Sequence, residues 1–243
     1  VSTAVAIVVA AAGVPVAKHG NRAASSKAGA ADTLEALGLD LDRASARAEE
    51  SLADLGIAFL FAQKHHPVLA RLGPIRKALA CRTVFNLTEP IRVLMASTVS
   101  NPASVTRQLI GVARPDFLPV YADAIAELGT ESTILVAGDE PLDELSIAGP
   151  STLVHVGGET RRITPADAGL PAHPLDAIRG GDAAYNADAL RRLLMGEHGA
   201  YRDAVLLNAA AALMVAGEAD DLRGGVEEAA ESIDKGLAKA LLD

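Results

Sequence analysis

Tryptophan is absent, and three tyrosines with four phenylalanines are the only aromatic residues among 243. A binding surface built on aromatic stacking is therefore not expected. Cysteine occurs once, as Cys81, which excludes an internal disulfide framework and a multi-cysteine zinc site. Cys81 itself reads as a small buried hydrophobe beside Arg82. Cations are scarce, 22 Lys and Arg against 31 Asp and Glu, and the net charge of -9 argues against a general nucleic-acid binder. A membrane-length apolar run is also missing. The longest candidate, Val1 to Ala17, is broken by Gly13 and Pro15, has no basic flank before it and falls short of the roughly 20 apolar residues of a span. No membrane contact is expected, and the location is read as cytoplasmic. Internal repeats and low-complexity tracts are lacking too.

What is abundant is alanine and glycine, which suits close packing of helices on a sheet. Segments of two periods alternate along the chain, the mark of an α/β layer architecture. Val14 to Ala17 reads as a strand buried on both faces, followed by a helix capped by Ser25 or Ser26 and ended by Gly38. Leu41 to Leu55 reads as one amphipathic helix closed by Gly56, and Ile57 to Phe61 as a buried strand. Thr106 to Ala113 and Thr133 to Ala137 are further strands, separated by a helix over Asp116 to Leu128 with Gly129 at its end. Val154, Val156 and Ile163 around Gly157-Gly158 suggest a hairpin. The proline-bearing stretch Thr164 to Gly181 should cross the surface. Helices are expected at Ala189 to Leu194, Ala200 to Val215 ended by Gly217, and Leu222 to Leu242.

Against this background the stretch Lys18-His-Gly-Asn-Arg-Ala-Ala-Ser-Ser-Lys-Ala-Gly29 stands out. It crowds cations, backbone donors and hydroxyls onto a turn from strand to helix. A helix N-terminus carries unpaired N–H groups and about half a positive charge, so phosphate placed there is stabilised before any side chain acts. Gly20 lets the backbone approach closely, and Asn21 offers a donor and an acceptor. A solvated loop is the alternative reading, against which twelve residues of consistent design weigh.

Two further elements carry chemistry. Gly138-Asp-Glu-Pro-Leu-Asp-Glu144 places four carboxylates within a short exit from a strand, either a solvated acidic turn or oxygen ligands suited to magnesium beside a phosphate. In open parallel sheets ligands gather beyond the carboxyl ends of strands, so this loop and the Lys18 turn can share one crevice. Arg76, in Pro74-Ile-Arg-Lys, offers a fork that matches a carboxylate, although a surface ion pair is the commoner use of such a residue. His65-His66 without further ligands is poor evidence for a transition metal. No Ser/His/Asp nucleophile pattern is present.

Val1-Ser-Thr-Ala, Lys18-His-Gly-Asn-Arg, Ser25-Ser-Lys-Ala-Gly, Phe59-Leu-Phe-Ala, Arg82-Thr-Val-Phe-Asn, Leu142-Asp-Glu-Leu and Arg179-Gly-Gly-Asp, in that order, resemble the anthranilate phosphoribosyltransferase family of tryptophan biosynthesis. The resemblance covers essentially the whole chain. It implies a single α/β domain over residues 1–243, a central largely parallel sheet wrapped by helices as in nucleoside phosphorylases and phosphoribosyltransferases, with the N-terminal helical subdomain mostly missing. It implies phosphoribosyl pyrophosphate bound by Ser2, Thr3, Lys18, His19, Gly20, Asn21, Arg22, Ala23, Ala24, Ser25, Ser26 and Ala30. Anthranilate would meet Asn21, Arg76 and His66, and magnesium would sit on Ser2, Asp143 and Glu144; Asp139 and Glu140 inherit no role. No catalytic acid or base is implied, because the aryl amine is already neutral. Pyrophosphate departs from an oxocarbenium-like sugar, and the protein supplies charge stabilisation and positioning.

The chain departs from the family pattern in three places. It lacks an initiating Met and begins after the family's Gly-Thr-Gly-Gly-Asp phosphate loop, so it reads as N-terminally truncated, weakly active at most, and a homodimer only at full length. Residues 86–104 are atypical, with Thr88 to Val99 replacing the family's Leu-Gly-Pro-Leu at the subdomain hinge. Gln63 stands in place of a proline, a mild change. A nucleic-acid-binding relative on the same fold and a pyrimidine nucleoside phosphorylase are the alternative readings.

Overall fold

The structure, a computed structural model, describes residues 1–23, 27–65, 105–140 and 142–243. Expectations at Ala24, Ser25, Ser26, His66, Arg76, Cys81 and the atypical segment 86–104 lie outside these residues.

The first helix, α1 (Ser2–Ala11), carries no charge and buries every residue from Thr3 to Ala10. A helix apolar on all sides belongs in the middle of a fold, and α1 packs there. Strand β1 (Val16–Gly20) follows and is half-buried along its length. This shifts the expected strand by two residues: Lys18, His19 and Gly20 belong to the strand itself, because β2 pairs alongside them. Next come α2 (Ala30–Ala36), α3 (Leu41–Ala46) and α4 (Ala48–Leu55). The single helix expected over Leu41 to Leu55 is interrupted at Arg47, whose ψ of 22° leaves the helical range, and Gly56 caps it in the left-handed conformation. Strand β2 (Ile57–Phe61) pairs in parallel with β1, Lys18 opposite Phe59 and Gly20 opposite Phe61. The short α5 (Ala62–His65) follows.

The second group opens with β3 (Arg107–Gly111), a 3-10 turn at Pro115–Phe117, and α6 (Leu118–Leu128), ended by left-handed Gly129. Strand β4 (Ser132–Gly138) is parallel to β3 and buried from Thr133 to Gly138, as expected of a central strand. The hairpin β5 (Ser151–His155) and β6 (Thr160–Ile163) then adds antiparallel strands. The α/β class holds. The sheet is less uniform than the largely parallel one expected: among the described residues the strands fall into two sheets, β1-β2 and β3-β4-β5-β6, the second of mixed sense. A cavity of about 540 Å³ is bordered by residues of β1, β3 and α1 and by Ala212, Val215 and Ala216.

The C-terminal part is helical: α7 (Ala183–Leu194), α8 (Ala200–Ala216), α9 (Leu222–Asp234) and α10 (Leu237–Leu242). Asp182 caps α7, so Gly180-Gly-Asp is a helix entry. The last helix divides at Gly236, which takes a φ of 73°. Central α8 buries residues on all sides, its Val205, Leu206, Ala209 and Leu213 in one cluster with Val5, Ile7, Val8 and Val9 of α1. Its Leu207, Ala210 and Ala211 join Ile134, Val136, Leu145 and Ile147 from the β4 side. The alanine and glycine usage serves helix-on-helix contact as well as helix-on-sheet contact: a Cβ on Gly225 of α9 would lie 2.7 Å from the Ala210 Cα. Among the described residues no helix is long and apolar enough to cross a membrane.

Candidate functional site

Three segments distant in sequence meet at the N-terminus of α1. The first is α1 itself, which presents exposed Ser2 and buried Thr3. The second is β1, whose Lys18 Nζ donates to Ser2 Oγ at 3.2 Å. The third is the loop between β4 and β5, where Glu144 Oε1 accepts the Ser2 backbone N–H at 3.1 Å. Lys18, Asp143 and Glu144 are close enough to act on one another electrostatically. The common crevice expected from strand exits is therefore present.

Burial sets the charge states. Desolvation holds the Lys18 ammonium below its ordinary pKa, opposed by the attraction of Glu144 and Asp143. Glu144, its side chain only 19% exposed, is pushed up by burial and by Asp143, against the Ser2 amide and Lys18. Tyr201, at the start of α8, is also raised, first by burial and then by Glu144. Such opposed shifts in one cleft mark a place where charge is held ready for a charged ligand.

Close backbone approach fixes the loop. At the end of β3, a Cβ on Gly111 would lie 1.6 Å from the Asp143 carbonyl oxygen, so only glycine lets the acidic loop pass. Leu145 and Ile147 plug the loop into the core below. Asp143 itself remains exposed. Sequence reading did not single out Gly111, and its one signal was a glycine closing an apolar strand.

The turn after β1 differs from expectation. Gly29, rather than a serine, is the N-cap of α2, and the carboxylate of Asp32 accepts the N–H groups of Gly29 at 2.8 Å and Ala23 at 2.9 Å. These bonds hold Asp32 below the usual carboxylate range. A Cβ on Gly29 would lie 2.6 Å from the Asn21 carbonyl oxygen, so the turn closes tightly on the helix start. The Arg22 guanidinium is bound by Glu35 and Asp32 and lies over the Phe61 ring. Part of the helix N-terminus expected to receive an anion thus already holds a side-chain carboxylate. Asn21 is exposed, with its Oδ1 accepting from the Arg22 N–H at 2.9 Å and from Gln63 Nε2 at 3.4 Å. Gln63, where the family pattern has proline, therefore touches a predicted substrate contact.

Ser2 lies between two cavities. One, of about 540 Å³, lies beside Lys18 and His19; the other, of about 500 Å³, is bordered by Ser2, Thr3, Ala30, Thr33, Asn186 and Tyr201. Among the described residues no group of three or more His, Cys, Asp or Glu is arranged to hold a metal ion by itself. Oxygen donors are present as Ser2 Oγ with the Asp143 and Glu144 carboxylates, a set that suits magnesium completed by substrate oxygens rather than an all-protein cage. Asp139 is paired with Arg162 at 2.6 Å, away from that set.

An α/β body with a half-buried lysine, a half-buried Glu144 beside exposed Asp143, and a hydroxyl-bearing helix start facing a cleft has the makings of a phosphate-handling glycosyl transferase. The model of the glycosyl transferase family's a/b domain matches residues 1–239. The chain belongs to this family and, within it, to the anthranilate phosphoribosyltransferases. It is 66% identical to the anthranilate phosphoribosyltransferase of Novosphingobium aromaticivorans, which matches all of this chain while the chain covers 72% of that protein. The enzyme from Thermus thermophilus superposes with a TM-score of 0.90 at 43% identity, over 99% of this chain and 70% of its own. The Saccharomyces cerevisiae enzyme, solved in complex with PRPP and Mg, gives 0.89 at 30% identity over 99% of this chain and 67% of its own. A further structure of the yeast enzyme holds 4-fluoroanthranilate.

Proposed function

We propose that this chain carries the site for transfer of the phosphoribosyl group from phosphoribosyl pyrophosphate to the amine of anthranilate, with release of pyrophosphate, a step of tryptophan biosynthesis. The observation that carries the reading is the meeting of Ser2, Lys18 and Glu144 at one cleft. It is supported by relatives of that name at 66%, 63% and 59% identity.

Lys18 and the backbone around His19, Gly20, Asn21 and Ala23 face the diphosphate, with Ser2, Thr3 and Ala30 completing the pocket. Arg22 shapes the turn through its Glu35 and Asp32 pairs and reaches phosphate only if those pairs open. Ala24, Ser25 and Ser26 are further proposed contacts of the diphosphate. Asn21, His66 and Arg76 receive anthranilate, Arg76 through its carboxylate. Ser2, Asp143 and Glu144 would hold magnesium. A bound magnesium ion neutralises the negative charge that develops on departing pyrophosphate. Lys18 adds a fixed positive charge in a partly desolvated place, where it acts more strongly than in water. The nucleophilic amine needs no base, so the protein's remaining task is orientation. The location is proposed as cytoplasmic, with homodimerisation a property of the full-length protein.

The test is calorimetric binding of phosphoribosyl pyrophosphate with and without magnesium, followed by loss of anthranilate fluorescence in a protein spanning the full length of the relatives. Magnesium-dependent binding and turnover are expected. Binding indifferent to magnesium, or selective turnover of a pyrimidine nucleoside with phosphate, overturns the assignment.

A further inference from the structure

Asn208 lies on α8, 4% exposed, at a position where an apolar side chain would be the ordinary choice. Its neighbours Leu207, Ala209 and Ala210 are fully buried. A buried amide is costly unless its hydrogen bonds are made. Here they are. Nδ2 donates to the carbonyls of Leu145 and Ala204, both at 3.0 Å, and Oδ1 accepts the Leu145 N–H at 2.8 Å. The side chain therefore clamps both backbone groups of the residue that follows Glu144, and ties its own helix backbone to them through Ala204.

The same helix governs the other half of the proposed metal set. Val205, Leu206 and Ala209 pack in one cluster with Val5, Val8 and Val9 of α1, the helix that begins at Ser2. One turn of α8 thus carries apolar contacts that fix the height of α1 and a polar clamp that fixes the acidic loop. Further along, the Ser146 N–H donates to Ser151 Oγ at 2.8 Å, which steadies the loop against β5 without reaching Glu144 directly. On the other side of the acid pair the Gly138 N–H donates to the Leu142 carbonyl at 3.1 Å, and among the described residues Asn208 is the side chain that binds the backbone next to Glu144.

We infer that Asn208 is a positioning residue for divalent-metal pyrophosphate: it holds the Glu144 carboxylate in register with Ser2 without touching the ligand. This rests on the assignment of Asp143 and Glu144 as the metal pair. Residues behind a metal's direct ligands typically change its affinity about 10- to 100-fold when removed.

The experiment titrates manganese(II) with pyrophosphate into the 243-residue chain, read by electron paramagnetic resonance, for the unaltered protein and for Glu144→Gln, Asn208→Ala and Ile125→Ala. Ile125 is buried on α6, in the cluster of Leu135 and Ala137, and controls for lost stability alone. The expected result is binding by the unaltered chain, a large loss in Glu144→Gln, a loss of about tenfold or more in Asn208→Ala, and unchanged affinity in Ile125→Ala at comparable melting temperature. No binding by the unaltered chain, or none lost in Glu144→Gln, overturns the metal assignment on which the inference rests. Binding lost in Glu144→Gln but kept in Asn208→Ala overturns the role of Asn208 alone. Should Asn208→Ala not fold, Asn208→Ser, whose shorter side chain keeps a polar group but cannot span both Leu145 backbone groups, takes its place with the same two outcomes.

Discussion

Lys18 shows how a single residue can be costly to the empty fold and useful to the bound one. Its ammonium is desolvated, and among the described residues Ser2 Oγ, Glu144 and Asp143 compensate. Because its folded pKa lies below the unfolded value of 10.5, the unfolded chain takes up a proton that the folded chain has released. Stability of the ligand-free chain therefore rises with pH across the window below 10.5, and falls as pH drops through the lowered folded pKa. Urea unfolding at a series of pH values should show this rise, and Lys18→Met should flatten it. An identical slope in the variant would mean that Lys18 is as well solvated as in the unfolded chain. At this scale the sequence was informative about chemistry and poor about partners. Lys18, Asp143 and Ser2 could be named from motifs, whereas Asp32, Gly111 and Asn208 could not. Their roles depend on what a distant backbone does, and no local pattern encodes that.

At the scale of elements, helices and strands were readable where periodicity and glycine stops coincide. Gly56, Gly129 and Gly217 end their helices in the left-handed conformation, as the pattern indicated. Two breaks inside runs that continue the helical period were not read: α3 and α4 part at Arg47, which carries no stop signal, and α9 and α10 part at Gly236, a left-handed glycine within an otherwise unbroken pattern. The start of α2 was misplaced for a different reason. Asp32 reaches back to cap its own helix, so the serines upstream are not needed for that purpose. The α8-α9 contact gives a prediction. Alanine ordinarily stabilises a helix relative to glycine by about 1 kcal/mol, but at Gly225 the new methyl group would press on the Ala210 backbone. Gly225→Ala should therefore lower stability by about 1–3 kcal/mol, the usual cost of overpacking. Thermal unfolding checks the sign, and a raised melting temperature would show that the two helices separate easily.

For the whole molecule, the α/β class followed from alternating periods, but the grouping of the described strands into β1-β2 and β3-β4-β5-β6 did not. Hydrophobic runs report burial, and they carry no record of which strand lies beside which. What unites the parts is the α1-α8 pair at the centre: α1 carries Ser2 to the cleft, α8 holds the loop of Asp143 and Glu144 against it, and β1 brings Lys18 alongside. One diphosphate is thus proposed as the common ligand of segments 142 residues apart in sequence. The most direct measurement is calorimetric titration of pyrophosphate, with and without magnesium, into the unaltered chain, Lys18→Met, and the double variant Asp143→Asn with Glu144→Gln. The expected result is tighter binding with magnesium in the unaltered chain, weak binding under both conditions in Lys18→Met, and complete loss of the magnesium enhancement in the double variant. An undiminished magnesium enhancement without the two acids, or unchanged affinity without the lysine, would contradict it.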